Sequence, residues 1–200
     1  MVSKTEWMIL IFNIIYLILF GIHFINRGNF EFIWYIFIMI ILIVLFVLLH
    51  KKYRFSTWTL IGLSLWGIGH MFGGSTILGE PRIYTRVLIN LFTTGDATVF
   101  SYDQLLHFYF YIVMTSVIYQ ISKKYFKPNA NWLIVSTMIV FASIGVGAFN
   151  EIVEFMPVLF LEETGVGGYF NVAWDIVFNA LGALVAIIYI SFKRRNNEKY

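Results

Sequence analysis

The chain has 200 residues, of which 60% are hydrophobic, 20% aromatic and only 12% charged, with a mean hydropathy of +0.79. Soluble domains carry about a quarter of their residues charged, and several apolar runs of roughly 20 residues exceed what a core of this size could surround, so the solvent is a bilayer. The net charge of +3 lies in short groups between apolar runs rather than in a stripe, so no nucleic-acid partner is expected, and zero cysteines exclude disulfides, thiolate metal ligands and a cysteine nucleophile.

In chain order the pattern predicts an all-α polytopic membrane protein, one integral membrane domain over residues 1–200 with six transmembrane helices in a single bundle. Spans fall near 6–26, 31–50, 57–79, 103–122, 131–155 and 170–192. The first lacks a small-residue cleavage site and reads as a retained span rather than a removed signal peptide. The second contains no ionisable side chain from Phe32 to Leu49, which suits a lipid-facing or scaffold helix. The third closes on Gly69-His70-Met71-Phe72-Gly73-Gly74, where glycines permit close helix approach or a broken helix end. After it, Arg86 and Asn90 stand one turn apart among apolar residues, which suits a short interfacial helix or a structured loop.

The last three spans carry paired polar residues at helical spacing: Asp103 with His107, Glu151 with Glu154, and Asp175 with Asn179. Gly145, Gly147 and Ala148 on the fifth and Ala180, Gly182 and Ala183 on the sixth are expected to pack together, bringing Glu151 beside Asp175. Tyr102, Trp132, Tyr169 and Trp174 fit an aromatic belt. His23 and His50 read as interfacial side chains that snorkel, and His50 at the basic boundary is left out of any site.

Positive loops stay cytoplasmic. With both termini inside, eleven lysines and arginines (Lys4, Lys51, Lys52, Arg54, Lys123, Lys124, Lys127, Lys193, Arg194, Arg195, Lys199) face in, against Arg27, Arg82 and Arg86 out. The same topology sends Glu31, Glu80, Asp96, Glu162 and Glu163 outside. At about 1.5 Å per residue, His23, His70, His107, Glu151, Asp175 and Asn179 lie roughly 21–28 Å from the inner boundary. Asp103 and Glu154 sit just above. Independent structural roles would scatter such groups; one outward-opening cavity predicts a shared layer.

Four carboxylates meeting in a low-dielectric pocket repel one another, so a cation, protons or Arg82 or Arg86 must compensate. Hard oxygen ligands with histidine suit a divalent Zn, Mn, Mg or Fe ion. His70, Asp103, His107, Glu151 and Asp175 are the candidate ligands, Glu154 the candidate general base, and Asn179 the group that positions water or a ligand. A hydrogen-bonded network that fixes helix register, with His107 held by Asp103, is the structural alternative.

Tyr102-Asp103-Gln104-Leu105-Leu106-His107-Phe108, Glu151-x2-Glu154 and Trp174-Asp175-x3-Asn179-Ala180-Leu181-Gly182-Ala183 resemble, in this order, the signature of the YjdF-like bacterial inner-membrane proteins, within a broader VanZ-like superfamily. The likeness extends upstream to His70-Met71-Phe72-Gly73-Gly74 and Glu80-Pro81, covering roughly residues 65–190. It departs at Gln104, where a basic residue commonly follows the aspartate, at Glu154, often glutamine in VanZ-like chains, and at Asn171, within the turn before the tryptophan. The resemblance implies a multi-helix membrane protein of the bacterial cytoplasmic membrane with an acid–histidine signature; it supplies no reaction.

Function is expected to be that of an outward-facing membrane enzyme acting on a lipid or lipid-linked envelope molecule, a metal-dependent hydrolase or transferase whose substrate tail stays among the membrane lipids. The competing classes are a small proton- or cation-coupled transporter, against which counts an inner half without comparable polar groups, and a non-catalytic lipid-binding envelope or scaffold protein.

Overall fold

A computed structural model describes residues 3–75, 82–95, 97–127 and 129–197. Glu80, Pro81, Asp96 and Lys199, and the segment 76–79 that closes the third expected span, lie outside the described residues.

Five of the six long helices begin where a short polar side chain satisfies the first free N–H groups. Helix α1 (Lys4–Asn26) starts with a reciprocal box in which the Glu6 N–H donates to Ser3 Oγ and the Ser3 N–H to the Glu6 carboxylate. Gly28, at φ +63°, turns the chain into α2 (Phe30–Tyr53), capped by Asn29. α3 (Thr57–Gly73) is capped by Ser56, α4 (Tyr102–Ser122) by a second box of Ser101 and Gln104, and α5 (Trp132–Phe160) by Asn131. α6 is Tyr169–Asn197. Among the described residues, α1, α2, α4, α5 and α6 are long and apolar enough to cross a membrane. The 17 residues of α3 rise about 25 Å.

The fifth helix does not stop near 155 but runs through Pro157 to Phe160. Proline there lacks the N–H that would reach the Val153 carbonyl, and the Trp34 indole of α2 donates to that oxygen instead, at 3.4 Å. Between α3 and α4, of the two alternatives expected for 83–92, the structured loop forms rather than the interfacial helix. A 3-10 turn, Ile83–Thr85, is followed by a Val87–Ser101 bridge and a small antiparallel hairpin of β1 (Thr93–Thr94) and β2 (Ala97–Thr98). The β-branched Val87, Ile89, Thr93 and Thr94 favour extended backbone, and Gly95 at φ +59° closes the turn. The hairpin lies on α6 through Phe92, whose ring meets Trp174 edge-on at 5.4 Å.

α4 is the shared helix, packing on α3, α5 and α6, while α1 packs on α2 and α3. The small residues serve this arrangement differently from the expected α5–α6 seam. A Cβ at Gly182 would run into the Phe108 carbonyl, so that glycine lets the α6 backbone touch α4, and Gly145 faces open space. Gly147 does face α6, where a Cβ would lie 2.7 Å from the Asn179 amide. Inside, Tyr16, Phe24, Phe32, Trp66, Met71 and Tyr111 belong to one buried aromatic-rich cluster. Outside, side chains such as Leu19, Met138, Phe141 and Tyr189 are more than 60% exposed, an outer surface that suits hydrocarbon and not water.

Candidate functional site

The ionisable side chains gather at the end of the bundle that carries the α1–α2, α3–α4 and α5–α6 connections. α4 presents Asp103 and His107 one turn apart on one face, α5 contributes Glu151 and Glu154, and α6 contributes Asp175 and Asn179. His107 stands at the centre. Its Nδ1 is 3.0 Å from Asn179 Oδ1 and 3.7 Å from Glu151 Oε1; its Nε2 is 3.5 Å from Asp103 Oδ1 and 3.8 Å from Glu154 Oε1. His107, Asp175 and Asn179 are all buried, the last two completely.

Proton accounting follows from those partners. With the Asn179 amide oriented so that Oδ1 faces the ring, Nδ1 must donate, since a carbonyl oxygen only accepts. Nε2 is then left facing two carboxylates, which are acceptors as well when ionised. Either a proton or a cation must lie between them. The acids are incompletely satisfied: Asn171 Nδ2 donates to Asp103 Oδ2 at 3.2 Å and also to Asp175 Oδ2, and Asn150 Nδ2 donates to Glu154 Oε1 at 2.7 Å. Glu151 Oε1, Asp175 Oδ1, Asn179 Nδ2 and Tyr111 Oη are buried without a hydrogen-bond partner. An unpaired buried polar atom costs about 1–3 kcal/mol, more when charged, so a group that satisfies several at once is strongly favoured.

Among the described residues, two sets of side chains could hold a metal ion: Asp103, His107 and Asp175, and His107, Glu151 and Glu154, the candidate atoms in each lying within 4.8 Å of one another. Ligands of one tetrahedral Zn-sized ion at about 2.0–2.2 Å stand roughly 3.3–3.6 Å apart, so closure around an ion needs side-chain movements of up to about an ångström. The donor set, carboxylate oxygens with one imidazole, fits a hard or borderline divalent cation.

His70 is held differently from the other named residues. Burial keeps the Tyr84 phenol well above its ordinary titration range, so it donates its proton to His70 Nδ1. The His70 ring is boxed by Phe32, Tyr35, Trp66 and Tyr84 at centroid distances of 5.3–5.9 Å. It belongs to neither metal-capable set, but shares a small cavity with His107, Asn150 and Glu154. A second small cavity joins His70, Tyr84, Asp103, Glu154 and Asn171 to Glu31 and Arg82. Arg82 pairs with buried Glu31, whose carboxylate also accepts from the Gly165 N–H at 2.7 Å. Arg82 therefore compensates Glu31 directly and the central acids at most from a distance.

Asn150, Asn171, Tyr111 and the Arg82–Glu31 pair escaped the sequence-based list. Asn171 is four residues before Asp175, Asn150 four before Glu154, and Tyr111 four after His107. The helical spacing that singles out the ionisable residues points to these as well, once neutral polar side chains are admitted. Below Tyr111 the same stripe reaches buried Thr115, whose hydroxyl donates to the Tyr111 carbonyl at 2.6 Å and accepts from Ser143 at 2.7 Å.

The molecule is thus a helical membrane protein whose bundle encloses a carboxylate–histidine cluster. It belongs to the family described as "Predicted membrane protein (DUF2238)", whose model matches residues 6–196. No curated protein and no solved structure matches the chain.

Proposed function

We propose that the cluster around His107 binds a divalent metal ion and that the protein is a membrane enzyme acting on a lipid or lipid-linked cell-envelope substrate. The observations that carry this reading are two unpartnered buried carboxylate oxygens, Glu151 Oε1, which is 3.7 Å from His107 Nδ1, and Asp175 Oδ1, together with a His107 Nε2 that faces only the carboxylates of Asp103 and Glu154. Asp103, His107, Glu151, Glu154 and Asp175 supply the ligand atoms. Asn179 holds the imidazole tautomer and Asn171 ties the two aspartates together, the outer-shell roles that keep ligands oriented. His70, its lone pair taken by Tyr84, lies across the cavity as a positioning residue. A carboxylate that does not bind the ion, Glu154 in the first set, is placed to accept a proton from water. When bound, the ion would lower the pKa of a water and polarise a phosphoryl or acyl oxygen.

Positive-charge distribution supports six crossings with both termini cytoplasmic, α3 being the third, which sets the cluster toward the exterior of a bacterial cytoplasmic membrane. The signature shared with YjdF-like and VanZ-like proteins agrees with that setting. Elemental analysis of the purified protein beside an Asp103→Asn variant is the test: stoichiometric Zn, Mn, Mg or Fe in the wild type and its loss in the variant are expected, and a metal-free wild type overturns the reading. The stripe of Tyr111, Thr115 and Ser143 favours a second reading, proton or cation movement inward from His107. It expects a pH-dependent ion flux in proteoliposomes, abolished by His107→Ala.

A further inference from the structure

Beside the carboxylate–histidine cluster, at the same end of the bundle, lies a cleft of about 310 Å³ whose charged lining consists of two arginines, Arg27 after α1 and Arg82 before the 3-10 turn, with His23, Gly28 and Asn29 beside them. One water occupies roughly a tenth of that volume, so the cleft has room for a headgroup. Arg27 is exposed and makes no ion pair among the described residues. Arg82 is fixed by Glu31, which is itself gripped by the Gly165 N–H, and the guanidinium lies over the Phe32 ring at 5.8 Å. It forms part of two walls, lining both this cleft and the cavity that holds Asp103, Glu154 and His70. The cationic cleft and the acidic cluster are therefore neighbouring compartments that share one arginine.

We propose that this cleft binds the phosphate of a phosphate-bearing lipid headgroup, placing the bonds next to that phosphate toward the carboxylate–histidine cluster. The proposal deepens the reading of the cluster as a site for lipid or lipid-linked molecules and rests on it. Arginine presents a planar fork of donors that matches phosphate oxygens, and an anion here meets the unpaired charge of Arg27 and the outward donors of Arg82, which Glu31 holds from behind, without a carboxylate in the lining. A neutral headgroup would have no use for that charge. Without a bound ion a phosphate inside the cluster would meet four acids, so the cationic cleft separates anchoring from the metal-capable groups.

The test uses the full chain in dodecylmaltoside micelles, whose headgroup carries no phosphate, titrated with dihexanoyl phosphatidic acid, with phosphate-free dihexanoylglycerol and with inorganic phosphate, for the wild type, Arg27→Gln and Arg27→Lys. Arg27 is exposed and unpaired among the described residues, so both variants fold. Phosphatidic acid should bind the wild type, lose at least about tenfold in affinity in Arg27→Gln and recover most of it in Arg27→Lys, as expected for one charge-assisted contact. Dihexanoylglycerol should not respond to the substitution. Equal affinities in the wild type and Arg27→Gln, or inorganic phosphate bound as tightly as the lipid, would overturn the proposal. Metal content measured on the same samples keeps the two readings apart: phosphatidic-acid binding by a metal-free wild type leaves the cleft standing and removes the metal, and a metal-loaded protein indifferent to phosphatidic acid does the reverse.

Discussion

At the scale of single residues, Asn171 bears more of the site than its neutrality suggests. Its amide nitrogen carries two N–H groups and spends one on Asp103 of α4 and one on Asp175 of its own helix, so one side chain holds two carboxylates near each other. Replacing it with Leu leaves both acids without that donor in a buried place. The expected cost is about 2 kcal/mol, seen as a melting temperature in detergent lower by roughly 4–8 °C; an unchanged melting curve would show that the two acids are satisfied by something other than Asn171. Tyr111→Phe offers the contrast. Its hydroxyl is buried with no partner, so removing it is expected to leave stability unchanged or raised, measured by the same melt. The ionisable half of this site is legible in the sequence because a charge inside an apolar run is conspicuous. Asn150 and Asn171 are not conspicuous, since asparagine is also the ordinary residue of helix caps and turns, as Asn29 and Asn131 are here.

At the scale of helices, the hydrophobic runs and their polar caps mark most of the elements, because membrane spans are set by length and composition alone. Which faces meet is another matter. Small residues on two helices permit close approach but do not name the partner, and Gly182 of α6 is spent on the α4 backbone at Phe108 rather than on α5. Gly182→Leu should force α4 and α6 apart and destabilise by about 1–3 kcal/mol, whereas Gly145→Ala, which points into open space, should be neutral or slightly stabilising through helix propensity. Equal effects of the two substitutions on melting temperature would contradict the packing described. The same limit explains the 83–92 segment. A turn's spacing of Arg86 and Asn90 is compatible with a helix, but the pairing of Val87 with Ser101 and of β1 with β2 joins residues too distant in sequence for local periodicity to announce.

At the scale of the whole molecule, orientation decides what the cluster can meet. Thr94 in the hairpin and Lys124 beyond α4 lie at opposite ends of that helix, and the chain has no cysteine of its own. Single cysteines introduced at these positions are expected to react with an impermeant thiol reagent in intact cells at Thr94 only; labelling at Lys124 alone would turn the cluster toward the cytoplasm. The chemistry open to the site depends on the ion. His107 faces four carboxylates from three helices, and what compensates those charges is either a metal or protons, with opposite consequences when the imidazole is removed. The most direct measurement is metal content together with melting temperature on the same preparations of wild type and His107→Ala. A divalent ion present stoichiometrically in the wild type and lost in the variant, with the variant still folded, is the predicted result; a metal-free wild type accompanied by a large fall in melting temperature on losing His107 would identify a structural network and contradict it.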